Sequence, residues 1–132
     1  MKIYLAARYS RHKEMQIYTK QLSLFGHEVT SRWILGDHEL RADGPDINTV
    51  NHKFANEDIE DILSAKYILS FTEPHDSLLG RGRGGRHTEF GIGLMLAKGL
   101  GIIGEREHVF HYLNFVEVYD NLEAWIEDHK GL

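Results

Sequence analysis

The chain has no cysteine, which excludes disulfides, thiolate ligands and thiol nucleophiles and favours a cytoplasmic location. It also lacks a long hydrophobic run. Nothing approaches the roughly 18 apolar residues of a membrane span, so no membrane partner is expected. The N-terminal stretch Met1–Ala7 enters a strand-like pattern at once and is too short for a signal peptide. Basic charge is in the minority, with 15 Lys and Arg against 20 Asp and Glu and a net charge of −5. A nucleic-acid polymer needs a broad basic surface to displace its counterions, so that class of partner is not expected. Internal repeats and linker-like segments are missing too. At 132 residues, 42% hydrophobic and 27% charged, residues 1–132 fit one ordinary globular domain.

What is present is alternation. Lys2–Ala7 reads as a strand, and Ser10–Phe25 as a helix with Met15, Tyr18, Leu22 and Phe25 on one face, Ser10 as N-cap and Gly26 as terminator. His27–Trp33 reads as a strand. Gly36–Val50 is polar and aperiodic, either a lid or binding loop or simply disordered. A helix over His52–Ser64 precedes a strand at Tyr67–Phe71. A helix at Arg86–Lys98 leads to a strand at Gly101–Gly104, then a turn or short helix at Glu107–Leu113. Phe115–Val118 and Leu122–His129 complete the series as strand and helix. Such alternation implies right-handed crossovers and a three-layer α/β/α sandwich on a five-stranded parallel sheet, flavodoxin-like or Rossmann-like. Ligands of such sheets bind beyond the carboxyl ends of the strands. The loops after Ala7, Trp33, Phe71 and Gly104 are therefore expected to share one edge.

The stretch Gly80-Arg81-Gly82-Arg83-Gly84-Gly85-Arg86-His87-Thr88-Glu89-Phe90-Gly91 concentrates the chemistry. A glycine- and arginine-rich loop runs into an apolar helix with a glutamate near its start. The helix dipole and three nearby arginines are expected to keep Glu89 ionised, which suits a nucleophile and not a general acid. The alternative is simple complementarity to the dipole. Phe90, Ile92, Leu94, Met95, Leu96 and Ala97 make this helix apolar nearly all round, which predicts burial. Gly91 and Gly93 cost about 1 kcal/mol each against alanine and require close packing or backbone access in return.

A second carboxylate comes from the helix His52–Ser64. Ala55, Ile59, Ile62 and Leu63 define its expected buried face, Asp58 borders it, and Glu57, Glu60 and Asp61 point outward. Gly80, Gly82 and Gly85 match Gly-x-Gly-x-x-Gly, but the match follows its strand too late, and in the wrong unit, for a dinucleotide fingerprint. The arginines, with Arg8 beyond the first strand, suit phosphate or carboxylate better. Arg81 at the loop tip reads equally as a solvated charge, and His87 as a packing residue. Neither cysteine nor a His/Asp ligand spacing indicates a metal.

Ile3-Tyr4-Leu5-Ala6-Ala7, Asn56-Glu57-Asp58-Ile59 and Thr88-Glu89-Phe90-Gly91 together resemble the nucleoside 2-deoxyribosyltransferases and the related 2'-deoxynucleoside 5'-monophosphate N-hydrolases, in order and spacing from Tyr4 to about Leu113. The resemblance implies a flavodoxin-like fold, no cofactor, and cleavage of an N-glycosidic bond through a covalent glycosyl-enzyme. Glu89 would be the nucleophile, Tyr4 would orient it, and Asp58 would serve the base or the sugar edge. Ala6, Arg8, Arg83, Gly85 and Arg86 would contact a nucleoside or nucleotide. Homodimers or larger homo-oligomers are implied, with His108 as a contact from a neighbouring copy or else an ordinary loop histidine. Two departures stand out. Arg83 occupies a position where the transferases carry aspartate and the hydrolases serine, and Arg8 replaces a serine that serves the 5'-phosphate. Both point to a 5'-phosphorylated substrate. The competing reading is a non-catalytic nucleotide-binding module whose Gly/Arg loop holds phosphate.

Overall fold

The computed structural model describes residues 1–36, 38, 47–74 and 84–131. Five strands, β1 (Lys2–Ala6), β2 (Glu28–Val29), β3 (Tyr67–Phe71), β4 (Gly99–Ile103) and β5 (Val116–Tyr119), form one sheet in the order β2-β1-β3-β4-β5. Every neighbouring pair is parallel. Helices α1 (His12–Leu24), α2 (Ile47–Ser64), α3 (Gly85–Met95) and α4 (Leu122–Asp128) connect or follow the strands. This is the α/β sandwich with flavodoxin-like strand order that the alternation implies.

Strand parity assigns the layers. Tyr67 and Phe71 point to one face, where Phe71 stacks on Tyr18 of α1 at 5.3 Å and Tyr67 meets Trp125 of α4 edge-on, also at 5.3 Å. Ile68 points to the other, where a Cβ on Gly93 of α3 would come within 2.4 Å of its side chain. Gly93 is thus a close-packing glycine, as its helical position demands, and it brings α3 down onto the sheet. Gly91 instead faces open space. Tyr4 pairs in register with Ile68 and Ala6 with Ser70, so these four residues share the α3 face.

Several boundaries differ from expectation. The strand expected over His27–Trp33 stops at Val29 and gives way to a 3-10 turn at Arg32–Leu35. The cause lies in β1. The hydroxyl of Ser31 accepts from Leu5 N–H at 2.7 Å, and the Trp33 indole donates to Leu5 carbonyl at 2.8 Å. Side chains thereby satisfy the backbone groups that a longer β2 would have paired. The first helix starts at His12 after a 3-10 turn at Tyr9–Arg11, so Ser10 does not cap it, whereas Gly26 ends it at φ +84° as expected. The helix expected from His52 begins at Ile47, inside the stretch read as a polar loop. The rest of that expected lid, residue 37 and residues 39–46, lies outside the described residues.

The buried face of α2 is also not the expected one. Phe54, Asp61 and Ile62 are buried, while Ala55, Ile59 and Leu63 are exposed. Asp61 turns inward because Arg32 clasps it, through the backbone N–H at 2.8 Å and Nε at 2.9 Å. The displaced apolar stripe borders a groove with Thr88, Gly91, Ile92, Met95 and Leu96. Met95 is 80% exposed, so α3 is not buried all round.

Candidate active site

Chain order reverses between β1 and β3: β1 leads to β2 on one side, and β3 leads to β4 and β5 on the other. In sheets of this kind such a reversal marks the place beyond the carboxyl ends of the strands where ligands bind. α3 runs back across this edge. Its Gly93 sits over Ile68, and Glu89 lies one helical turn nearer the edge, about the rise of two strand residues. That brings Glu89 to the level of Ser70 on their shared face.

Tyr4 donates its hydroxyl to Glu89 Oε2. Tyr4 is wholly buried in β1 and Glu89 is partly covered. Burial of the carboxyl group pushes its pKa up to about 8. The sequence predicted the opposite, an ionised glutamate held down by dipole and cations. The difference has two causes. Glu89 is the fifth residue of α3, beyond the turn where the dipole acts. Arg86, the one arginine of the Gly/Arg stretch among the described residues, faces elsewhere.

Arg86 is buried and forms a fork with Glu107, Nη1 to Oε1 at 3.0 Å and Nη2 to Oε2 at 2.8 Å. Glu107 also accepts from Glu73 N–H at 3.3 Å. One carboxylate so ties the exit of β3 and the start of α3 to the loop after β4. Arg86, singled out as a substrate contact, has its guanidinium spent on this internal pair.

Arg8 follows β1 with a buried Nη1 that has no hydrogen-bond partner among the described residues, and the same holds for Ser70 Oγ. A buried polar atom without a partner costs on the order of 1–3 kcal/mol, so unpartnered atoms mark a place where a ligand is worth binding. Ser70 escaped the sequence reading, although it is the one polar residue of an otherwise apolar strand. Ala6 lies beside it in register and is fully buried, and Gly85 opens α3 exposed. Arg83, with Arg81, Gly80 and Gly82, lies outside the described residues.

Asp58 sits on α2, half-buried, and its Oδ1 is 3.2 Å from His38 Nδ1. Burial raises the Asp58 carboxyl, and the charge and hydrogen bond of His38 act against that rise. His38 was not singled out in the sequence. It is buried although it lies in a polar stretch.

His108 is neither a free loop histidine nor near Glu89 by any hydrogen bond among the described residues. It packs edge-on against His87 at 4.8 Å and beside His111 at 3.8 Å between ring centroids. The three imidazoles bring ligand atoms within 4.8 Å of one another, a grouping the sequence spacing did not show. Two of their ring nitrogens already accept hydrogen bonds. His87 Nε2 receives Arg86 Nη1 at 2.7 Å, and His111 Nδ1 receives Glu107 N–H at 3.0 Å. Burial, then neighbouring positive charge, lowers both rings to about 4 and keeps them neutral. His108 Nδ1 and His111 Nε2 are buried without a hydrogen-bond partner among the described residues.

No protein-family model matches the chain, and no curated protein matches it in sequence. Its fold does match solved structures. A 2-deoxyribosyltransferase from Bacillus psychrosaccharolyticus superposes with a TM-score of 0.66 at 19% identity, covering 96% of this chain and 90% of that one. The CMP N-glycosidase BcmB of Clostridium botulinum gives a TM-score of 0.53 at 17% identity, covering 97% of each. The chain thus shares the fold of both along nearly its whole length.

Proposed function

We propose that this chain is an enzyme that cleaves the N-glycosidic bond of a nucleoside or nucleotide, with Glu89 as nucleophile. The observation that carries the reading is the Tyr4–Glu89 hydrogen bond at the switch point. The named activities of the two fold neighbours agree with it. A Glu89 oxygen attacks the anomeric carbon as the C–N bond breaks, and the bonding electrons leave with the base. Tyr4 orients the attacking carboxylate. Asp58, its pKa raised by burial, supplies the proton the departing base needs. Water or a second base then displaces Glu89 from the sugar, as in retaining glycosidases. Arg8 and Arg83, with Ser70 and the backbone at Ala6 and Gly85, hold the sugar and a 5'-phosphate. The chemistry calls for neither cofactor nor metal.

Copies pair through the apolar groove of Ile59, Leu63, Ile92, Met95 and Leu96, an assembly in which His108 reaches a neighbour's site. The unpartnered Arg8 Nη1 also fits the second reading, a module that binds nucleotide without cleaving it. Chromatography of nucleosides and their monophosphates, incubated with enzyme with and without a free acceptor base, separates these. Base release that is lost in Glu89→Ala while nucleotide binding survives is the expected result. A variant that still releases base from every substrate removes Glu89 from the mechanism. Binding with no release by the wild type establishes the module.

A further inference from the structure

One face of α2 grips a residue from the stretch before it. Phe54, Glu57 and Asp58 stand at i, i+3 and i+4 and so share a side of the helix. His38 lies against all three. Its ring stacks on Phe54 with centroids 4.6 Å apart and planes at 18°. Nε2 meets Glu57 Oε2, and Nδ1 lies 3.2 Å from Asp58 Oδ1. The His38 side chain is 2% exposed. Each ring nitrogen faces one carboxyl group, Nε2 that of Glu57 and Nδ1 that of Asp58, so the contact is directional at both ends.

We propose that His38 is a positioning residue for Asp58: Phe54 and Glu57 fix the ring, the ring fixes Asp58 Oδ1, and Oδ2 is left for the substrate. This rests on the reading above, in which Asp58 serves glycosidic cleavage. A long polar stretch has cheaper ways to attach itself to a helix than a buried ring between two acids. The observed cost makes sense if the orientation of one of those acids matters. The charged groups acting on Asp58 among the described residues are His38, Asp61 and Glu57. Arg32 answers Asp61, and Lys53 Nζ is 3.9 Å from Glu57 Oε1. His38 is therefore the neighbour that holds the Asp58 carboxyl down against burial, and removing it lets the Asp58 pKa climb.

The test combines kinetics with a titration. Base release is followed from CMP and the common 2'-deoxynucleosides, and the Asp58 carboxyl is titrated by carbon-detected NMR. Expected for H38N are a fall in kcat of about tenfold, KM little changed, and an Asp58 midpoint moved to higher pH. E57Q gives a smaller effect in the same direction. Placed on D58N, H38N adds nothing further. Additive losses, or an unmoved Asp58 midpoint, overturn the proposal and leave His38 as an anchor for its segment. If H38N does not fold, H38Q and E57Q carry the same comparison. Failure of the underlying reading looks different: D58N itself keeps wild-type base release, or the wild type releases no base at all.

Discussion

Arg86 and Glu89 stand less than one turn apart on α3, and the fold treats them in opposite ways. Arg86 is matched on both sides of its fork by Glu107 and by a ring nitrogen of His87. Among the described residues Glu89 has one hydrogen-bond donor, Tyr4, and burial pushes its carboxyl pKa up. A charge satisfied by its own protein has nothing left to give a substrate. A carboxylate left with one partner in a dry place is reactive, and the fold must bear its cost. The same helix therefore carries a paired ion and the residue proposed to do the chemistry, and their hydrogen-bond partners differ where sequence position does not.

The sharpest way to break this comparison is Glu89→Gln. Base release should fall by roughly a thousandfold or more, as loss of a nucleophile does, in an assay on nucleosides and monophosphates. The same variant should be more stable than the wild type at pH 9. The Glu89 carboxyl ionises near 4.5 when unfolded and about 8 when folded. Its contribution is fully present below the unfolded value and is lost as pH rises through the folded one. Urea denaturation at pH 5 and pH 9 checks the sign. A variant no more stable than wild type at pH 9 would show that the site carries no such strain.

Glu107→Ala attacks the other member. It strands the buried Arg86 and should cost about 3 kcal/mol of stability, read as a lower urea midpoint, with base release per folded molecule largely kept. Loss of activity without loss of stability would give Arg86 a role at the substrate after all. Tyr4→Phe is gentler. It removes the donor that favours ionised Glu89, so kcat/KM at neutral pH should drop about tenfold. The rising limb of its pH profile should also move to higher pH. The smallest effect belongs to His87 and His111. Their folded pKa values near 4 lie below the ordinary 6.5, so the stability they contribute is present above 6.5. It should decline by about 1 kcal/mol or more as pH falls through 4. Substituting His111 by Asn should flatten that slope.

Much of the fold could be read from local pattern. The alternation of strand and helix, the strand Tyr67–Phe71 and the helix stop at Gly26 depend on residues near one another in sequence, and all three stand. The misreadings share a cause, which is partners distant in the chain. Asp61 reads as solvated until Arg32, 29 residues earlier, closes on it. The fork that Arg86 makes with Glu107, 21 residues later, is likewise invisible in local pattern. Glu89 was singled out by its place after a glycine-rich loop and by the resemblance around it. The upward push on its pKa could not be read that way, because burial is a property of the packed structure.

The treatment of Leu5 has a further consequence. A sheet edge normally offers a ladder of free N–H and C=O groups on which another chain can crystallise a strand. Here the edge strand β2 is two residues long, and beyond it a serine hydroxyl and an indole close the backbone of β1. An incoming strand finds little to template on, which protects this side from runaway β-aggregation. Any contact made on this side falls to side-chain shape on the helical faces rather than to backbone pairing.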